Sequence, residues 1–157
     1  MKGNQEVIDS LNARLVSELS AIVQYKAHVT LLDDWHFKYL KNKVDKRSYK
    51  EMDHALKLVE RIVFLEGTPV LENVPSVVMG QDVPTILMDD REAEMTAIQG
   101  YNESIELCTK LGDNTTAELL EDNLEDEEKH INWIESQLSK IQQMTLPHYL
   151  KMITDND

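Results

Sequence analysis

The sequence predicts an all-α protein, in which four long helices form a bundle and a short fifth helix follows. Three observations support this class. Apolar residues recur at alternating spacings of three and four, glycine and proline gather between residues 67 and 84, and the second half of the chain repeats the first. Because 157 residues suffice for one core, we expect a single domain spanning residues 1–157, with the bundle at about 4–143.

The first two helices are expected at about residues 4–34 and 37–66, with a turn at Asp33–His36 between them. A regular apolar seam runs along the first helix and comprises Ile8, Leu11, Leu15, Ile22, Tyr25, Val29 and Leu32. Glu18 interrupts that seam. The sequence EGTP at 66–69 predicts the end of the second helix, because glycine often follows a helix and proline cannot continue one.

The third and fourth helices are expected at about residues 83–111 and 114–143, and a short C-terminal helix at about 146–154. Asp82 and Asp113 directly precede the third and fourth helices and are expected to cap them. Most of the glycine and proline falls between helices two and three, at Gly67, Pro69, Pro75, Gly80 and Pro84. This stretch therefore predicts a long crossover between two helical hairpins, which is one connectivity of a four-helix bundle.

An internal repeat relates the two halves of the chain with an offset of 76 residues. The offset pairs polar and seam residues alike: Glu18 with Glu94, Glu51 with Glu127, His54 with His130, Tyr25 with Tyr101, Ile22 with Ile98, and Leu58 with Ile134. In each half, a glutamate in the seam precedes the glutamate of a Glu-x-x-His motif by 33 residues. A carboxylate at a seam position points into the bundle, where it needs a cation or a proton to offset the cost of burial.

The two Glu-x-x-His motifs, together with Glu18 and Glu94, predict a metal site in the bundle core. One motif would be weak evidence, because residues three apart on any helix share a face. Four glutamates and two histidines from four helices match the known ligand pattern of two-metal carboxylate bundles. Their charge of about −4 balances two divalent ions, and oxygen-rich ligands with imidazole favour iron or manganese. The alternative interpretation, a set of solvated carboxylates, is disfavoured by the repeated inward spacing.

Other polar and aromatic residues are interpreted by their distance from these motifs. Tyr25 and Tyr101 lie two turns beyond Glu18 and Glu94, so each is expected either to hydrogen-bond a ligand carboxylate or to fill the seam. Asp126 is a candidate acceptor for a ligand histidine. We expect Trp133 to lie in the core, with electron donation as the alternative role, and Cys108 to pack in a seam. We expect His28, His36 and His148 to lie at the surface or in turns.

Charge and composition exclude several classes of function. The formal net charge of −13 argues against nucleic acid and anionic membrane surfaces as partners, and it favours attraction of cations. No run approaches the roughly 18 apolar residues of a spanning helix, and the first ten residues lack the apolar segment of a signal peptide. Cys108 is the single cysteine, which excludes an internal disulfide and a Cys-rich metal site. We expect a cytoplasmic protein with no membrane partner.

The chain resembles the bacterioferritins along nearly its whole length. The likeness is carried by the stretches MKGNQEVIDSLN, ELSAIVQY, YKEMDHA, ERIVFLEG and EDEEKHINWIESQL. The resemblance implies a ferritin-like bundle with Glu51 and Glu127 as bridging ligands in a ferroxidase set of Glu18, Glu51, His54, Glu94, Glu127 and His130. It also implies two iron ions per subunit, oxidation of Fe(II) by dioxygen or hydrogen peroxide, and ferric mineral stored inside a homo-oligomeric 24-subunit shell built from dimers.

The same resemblance implies haem b shared between two subunits, with Met52 of each subunit as an axial ligand, and a ferredoxin as reductant for iron release. Three positions depart from the family's usual residues. Lys46 and Lys50 stand where some members carry a histidine and an aspartate on the cavity side, and Lys26 stands where an apolar or aromatic residue is usual. Lys46 and Lys50 belong to a basic cluster that we interpret as a solvated face: Lys38, Lys41, Lys43, Lys46, Arg47 and Lys50.

Two other functions are consistent with the predicted ligands. One is a di-iron peroxidase or electron-transfer protein of the rubrerythrin type, without mineral storage. Such proteins usually carry an additional glutamate ligand and a Cys-rich rubredoxin domain, for which one cysteine and 157 residues leave no room. The other is a non-catalytic bundle that retains relic carboxylates. The preferred interpretation is an iron-storage ferroxidase.

Overall fold

The structure is a computed structural model that describes residues 1–72 and 76–154. Five helices and no strand occur in the described residues. They are α1 (Gln5–Asp34), α2 (Lys38–Phe64), α3 (Val83–Lys110), α4 (Asn114–Met144) and α5 (Leu146–Thr154). The predicted all-α class and the order of its elements are confirmed. The long crossover joins α2 to α3, and Pro75, within it, lies outside the described residues.

The predicted caps of α3 and α4 are confirmed. The Asp82 carboxylate accepts a hydrogen bond from the amide of Thr85 at 2.9 Å, while the Thr85 hydroxyl accepts one from the amide of Asp82 at 3.0 Å. Asp113 accepts from the amide of Thr116 at 3.1 Å. Asn4, which the sequence did not single out, caps α1 in the same way. These caps satisfy amides that have no partner within their own helix.

The end of α2 lies at the predicted place, but its glycine has a different role from the one expected. The residue with positive φ is Glu66, at 62°, and not Gly67. The amide of Gly67 donates to the carbonyl of Ile62 at 2.9 Å. A Cβ atom on Gly67 would lie 2.7 Å from Cγ2 of Ile8, so glycine is needed here for the close approach of α1.

The helices pack as two hairpins, α1 with α2 and α3 with α4, and α1 contacts α3 across the bundle. Two buried apolar clusters form the core. One includes Leu11, Leu15, Leu58, Ile62 and Leu120, and the other includes Leu32, Leu40, Val44, Ile86 and Ile134. Along α2 and α4, the Glu-x-x-His motifs fall between residues of the two clusters. The bundle therefore holds a polar layer between two apolar layers.

The short helix α5 closes one end of the bundle by packing on α4 and α2. Tyr149 is fully buried there, and its hydroxyl donates to the Gln137 side chain at 3.2 Å. No helix in the described part of the chain has both the length and the apolar content needed to cross a lipid bilayer.

Candidate metal centre

All six residues predicted as metal ligands meet in the polar layer. His130 is the most exposed of them, with 15% of its side chain accessible, and the others are buried. Two groups of four have ligand atoms within 4.8 Å of one another: Glu18, Glu51, His54 and Glu127, and Glu51, Glu94, Glu127 and His130. Because the groups share two glutamates, the structure places two candidate four-ligand positions side by side.

The shared glutamates, Glu51 and Glu127, stand between the two histidines. Glu51 places Oε2 3.1 Å from Nδ1 of His54 and Oε1 3.1 Å from Nδ1 of His130. Glu127 places Oε1 3.0 Å from Nδ1 of His54 and Oε2 3.3 Å from Nδ1 of His130. Each carboxylate thus directs one oxygen to each position, which is the arrangement that a bridging ligand requires.

The other two glutamates, Glu18 and Glu94, each approach one histidine, at 3.9 Å and 3.5 Å respectively. A tyrosine from the facing helix holds each of them. The Tyr25 hydroxyl on α1 donates to Oε1 of Glu94 on α3 at 2.5 Å, and the Tyr101 hydroxyl on α3 donates to Oε1 of Glu18 on α1. Of the two roles considered for these tyrosines, the structure shows the hydrogen bond to a carboxylate, which fixes the orientation of that carboxylate.

Five buried polar atoms of this cluster have no hydrogen-bond partner in the described part of the protein. They are both Oε atoms of Glu51, Oε1 of Glu127, and the Nδ1 atoms of His54 and His130. Buried polar atoms in proteins are nearly always satisfied, so a converging set of unsatisfied donors and acceptors is typical of a binding site. Carboxylate oxygens and imidazole nitrogens around one space fit divalent cations of the iron and manganese type.

Burial and the neighbouring carboxylates shift the pKa values of the ligand side chains. Burial alone would lower the pKa of His54, but the carboxylates of Glu127, Glu18 and Glu51 outweigh burial and raise it to about 12. The carboxylates around His130 likewise outweigh its burial and raise its pKa to about 11. Burial raises the pKa of Glu18 to about 7. Protons on the histidines therefore supply positive charge that metal ions would otherwise supply.

A cavity of about 450 Å³ leads from the surface between α1 and α3 to the ligands. Glu18, Glu51, Glu94 and Glu127 line its inner part, and small residues such as Ala13 and Ala97 are among those that line the rest. The carboxylates at its inner end would attract cations. Four of the six predicted ligands are therefore part of the cavity wall.

Comparison with known proteins agrees with this geometry. A family model described as a ferritin-like domain matches residues 8–144. A bacterioferritin from Brucella melitensis is 44% identical over 138 residues, which cover 88% of this chain and 86% of that protein. A bacterioferritin from Rhodobacter capsulatus is 38% identical, over 88% of this chain and 86% of that protein. One from Streptomyces coelicolor is 37% identical, over 99% of this chain and 93% of that protein. The chain belongs to the bacterioferritins.

The interpretation of the basic cluster as a solvated face is wrong for Arg47. Arg47 is 5% exposed. Its Nη1 lies 3.3 Å from Oδ2 of Asp90, and its Nε lies 3.7 Å from Oε1 of Glu94. The guanidinium also lies 5.2 Å from the centre of the Tyr25 ring and 5.3 Å from that of Trp133. Carboxylates and aromatic faces together compensate its burial.

The expectation that His28 lies at the surface or in a turn is also wrong, because its side chain is fully buried. Its Nε2 accepts a hydrogen bond from the amide of Gly80 at 3.1 Å, so Nδ1 carries the proton and donates to Asp90 at 2.8 Å. Gln24 completes this buried group with a contact of 3.4 Å to the same Asp90 oxygen. His36 and His148 are exposed, as expected.

Asp126 contacts a ligand histidine, as the sequence suggested. Its Oδ2 lies 3.3 Å from Nε2 of His54. The same oxygen lies 3.1 Å from Nζ of Lys50, and Oδ1 lies 3.2 Å from Nζ of Lys129. Lys50 is therefore held at the cluster by a carboxylate, whereas Lys46 is exposed on α2.

The predicted haem residue, Met52, lies on an exposed face of α2. It is 40% exposed, and two apolar or aromatic neighbours along the same face, Tyr49 and Leu56, are 62% and 54% exposed. Lys26 is tied to this face by an ion pair of 2.7 Å with Asp45, and its Nζ lies 4.0 Å from the centre of the Tyr49 ring. The lysine is thus directed toward Asp45 and Tyr49 on α2.

The two remaining residues that the sequence placed in the interior are buried to different degrees. Cys108 is fully buried, and burial raises the pKa of its thiol to about 11, so it is packed rather than reactive. Trp133 is partly buried and packs against the core that contains Tyr149 and Ile153.

Proposed function

We propose that this protein is an iron-storage ferroxidase that oxidises Fe(II) at a di-iron site within each subunit and stores the ferric product inside an oligomeric shell. The observation that carries the proposal is the placement of Glu51 and Glu127, each of which directs one oxygen to each of two histidines. Its similarity to bacterioferritins from three bacteria supports the same function.

The chain's own residues would hold the two ions and prepare the site for oxidation. Glu51 and Glu127 would bridge, while Tyr25 and Tyr101 keep the terminal glutamates in orientation. His54 would lose its Nδ1 proton when a metal ion binds. Two Fe(II) ions held together can each give one electron to dioxygen or to hydrogen peroxide. The cavity between α1 and α3 would admit the ions.

The assembly that we propose is a 24-subunit shell built from dimers, in the cytoplasm, with each chain forming a single domain over residues 1–157. The exposed apolar residues of α1 and α2 support an interface on this side of the bundle. Val23 is 53% exposed, and Met52 and Leu56 are 40% and 54% exposed. We further propose a ferredoxin as the electron donor for iron release, on the family resemblance.

Aerobic loading with excess Fe(II) tests this function against the rubrerythrin-type alternative. We expect the protein to sediment as a large shell whose mass increases with added iron, with an electron-dense core in the electron microscope. A dimer-sized species that oxidises Fe(II) but holds no mineral would favour the alternative. A large shell that neither binds nor oxidises Fe(II) would favour a non-catalytic bundle.

Lys46→Glu should accelerate the slow, later phase of mineral growth and leave the first, rapid oxidation unchanged. In the proposed shell, the exposed Lys46 ammonium repels Fe(II) from the inner surface, and its replacement removes that repulsion. Lys46 is a better position for this substitution than Lys50, because a change at Lys50 would also break its ion pair with Asp126. Lys140→Glu, which makes the same charge change at another exposed position, is the control. An unchanged slow phase would mean that Lys46 is an ordinary solvated residue with no effect on mineral growth.

Met52→Leu should abolish the haem absorbance of protein expressed with ample haem. Across a twofold axis, the same residue appears twice, so two thioether groups can ligate one haem iron from opposite sides. Met88→Leu is the matched control, because Met88 is a comparably exposed methionine, at 49%, on another helix. Haem absorbance that survives in Met52→Leu, or that is absent from the wild type at saturating haem, would leave Met52 as an interface residue.

A further inference from the structure

We infer that the two metal positions of each subunit differ in affinity, and that Arg47 and Asp126 set the difference. The first position is formed by Glu18 and His54 with the shared glutamates, and the second by Glu94 and His130 with the same glutamates. The inference is that the first position binds a divalent ion more tightly and fills first. It rests on the proposed di-metal site.

The internal repeat allows the surroundings of the two metal positions to be compared residue by residue. The offset of 76 residues relates each ligand of the first position to one of the second, and each supporting tyrosine to the other. Two positions with equivalent ligands would have equal affinities if their surroundings also repeated. The surroundings differ at places where charged side chains contact the ligands.

One difference is that Arg47 has Asn123 as its repeat partner. The buried guanidinium of Arg47 lies 3.7 Å from Glu94, a ligand of the second position. Asn123 is also buried, but its neutral amide donates to the Tyr101 hydroxyl at 3.2 Å. A guanidinium stays charged at every accessible pH, and in a buried site its repulsion of a second cation is weakly screened. Arg47 therefore lowers cation affinity most at the second position, because the ligand it contacts is Glu94.

The other difference is that Asp126 has Lys50 as its repeat partner. The Asp126 carboxylate lies 3.3 Å from Nε2 of His54. A carboxylate in this place fixes the tautomer of a ligand histidine and makes it a stronger donor. Among the described residues, no carboxylate pairs with Nε2 of His130, because the equivalent residue is a lysine that binds Asp126 instead. This difference favours the first position as well.

A third difference between repeat partners favours cation binding at the second position, but its charged side chains lie farther from the ligands. Arg14, near the first position, is the repeat partner of Asp90, near the second. Among the described residues, Arg14 forms no ion pair with Glu18, whereas Arg47 lies 3.7 Å from Glu94. The Nε of Arg14 is nevertheless buried without a hydrogen-bond partner, so its charge offsets part of the preference for the first position. Asp90 is paired with Arg47 and with the Nδ1 proton of His28, so this ion pair offsets part of the charge of Asp90 and part of the charge of Arg47. The two side chains that contact the ligands directly, Arg47 and Asp126, therefore set the direction of the inferred preference, and Arg14 reduces its size.

Crystals exposed without oxygen to less than one equivalent of Co(II) per subunit test this inference. Cobalt is used because it does not react with dioxygen in the way that Fe(II) does, and its anomalous scattering reports the occupancy of each position separately. We expect the first position to be preferred by about tenfold or more, the range typical of groups that support metal ligands. Arg47→Gln should bring the two occupancies within about threefold of each other, because it removes the buried charge beside Glu94.

The possible outcomes separate this inference from the proposed function. Absence of cobalt from both positions at saturation would contradict the di-metal site itself. Equal occupancy in the wild type, or a preference that Arg47→Gln leaves unchanged, would overturn the inference while leaving the site intact. If Arg47→Gln does not fold, the wild-type map and Asp126→Asn decide, because Asp126→Asn should weaken cobalt binding at the first position by about tenfold or more and leave the second unchanged.

Discussion

Glu18→Ala and His130→Ala should each slow the rapid phase of Fe(II) oxidation by more than about 100-fold, because loss of a mere supporting partner of a ligand already costs 10–100-fold. Each substitution removes one donor from one of the two positions and leaves the shared glutamates in place. Since oxidation requires two ions held together, loss of either position should suppress it. Stopped-flow absorbance after mixing anaerobic Fe(II)-protein with air measures the effect.

The control for these variants is Glu128→Ala, which removes an exposed glutamate one residue beyond the bridging Glu127. It should oxidise Fe(II) at the wild-type rate. Circular dichroism should show that all three variants remain helical. Rapid oxidation in both ligand variants would mean that the six-residue assignment is wrong.

Affinity for divalent metal should rise steeply with pH, by about 100-fold per pH unit for the binding of both ions near neutral pH. The reason lies in the pKa values of His54 and His130, which neighbouring carboxylates raise to about 12 and about 11. Both imidazoles are therefore protonated in the metal-free protein at neutral pH. Each must release its proton to offer Nδ1 to a metal ion, so a lower pH favours the proton and a higher pH favours the metal.

Proton release can be counted directly by anaerobic calorimetric titration with Co(II) in buffers of different ionisation enthalpy. We expect at least two protons per subunit at pH 8, because the two histidines each give up one, and Glu127, whose pKa burial raises well above its usual value, can add to that number. The number should increase below about pH 7, where Glu18, whose pKa burial raises to about 7, also becomes protonated in the metal-free state. Metal binding that is independent of pH and of buffer would contradict the placement of the histidines as ligands.

Much of the fold could be predicted because local signals and the repeat agree. Asp82 and Asp113 cap helices where the sequence places them, and the seam of α1 is buried at Leu11, Leu15 and Leu32. Glu18 could be recognised because a carboxylate in an apolar seam is costly to bury unless a cation or a proton accompanies it. The repeat then linked it to a partner residue on another helix without any knowledge of tertiary contacts.

The environment of the cluster could not be predicted in the same way. Arg47 stands among lysines that are exposed, and its burial depends on Asp90, 43 residues further along the chain. His28 has no histidine as its repeat partner, and it too is bound to Asp90. One signal was available: Asp90 precedes Glu94 by four residues and so lies on the same inward face of α3. A second inward carboxylate on α3 should have prompted a search for its buried partner.

Whether the six residues hold two iron ions for oxidation can be measured by an anaerobic Fe(II) titration followed by exposure to air. We expect saturation at two Fe(II) per subunit, followed by a rapid absorbance increase from ferric product that Glu18→Ala lacks. Absence of saturable Fe(II) binding, or wild-type oxidation no faster than that of Glu18→Ala, would contradict the di-iron assignment.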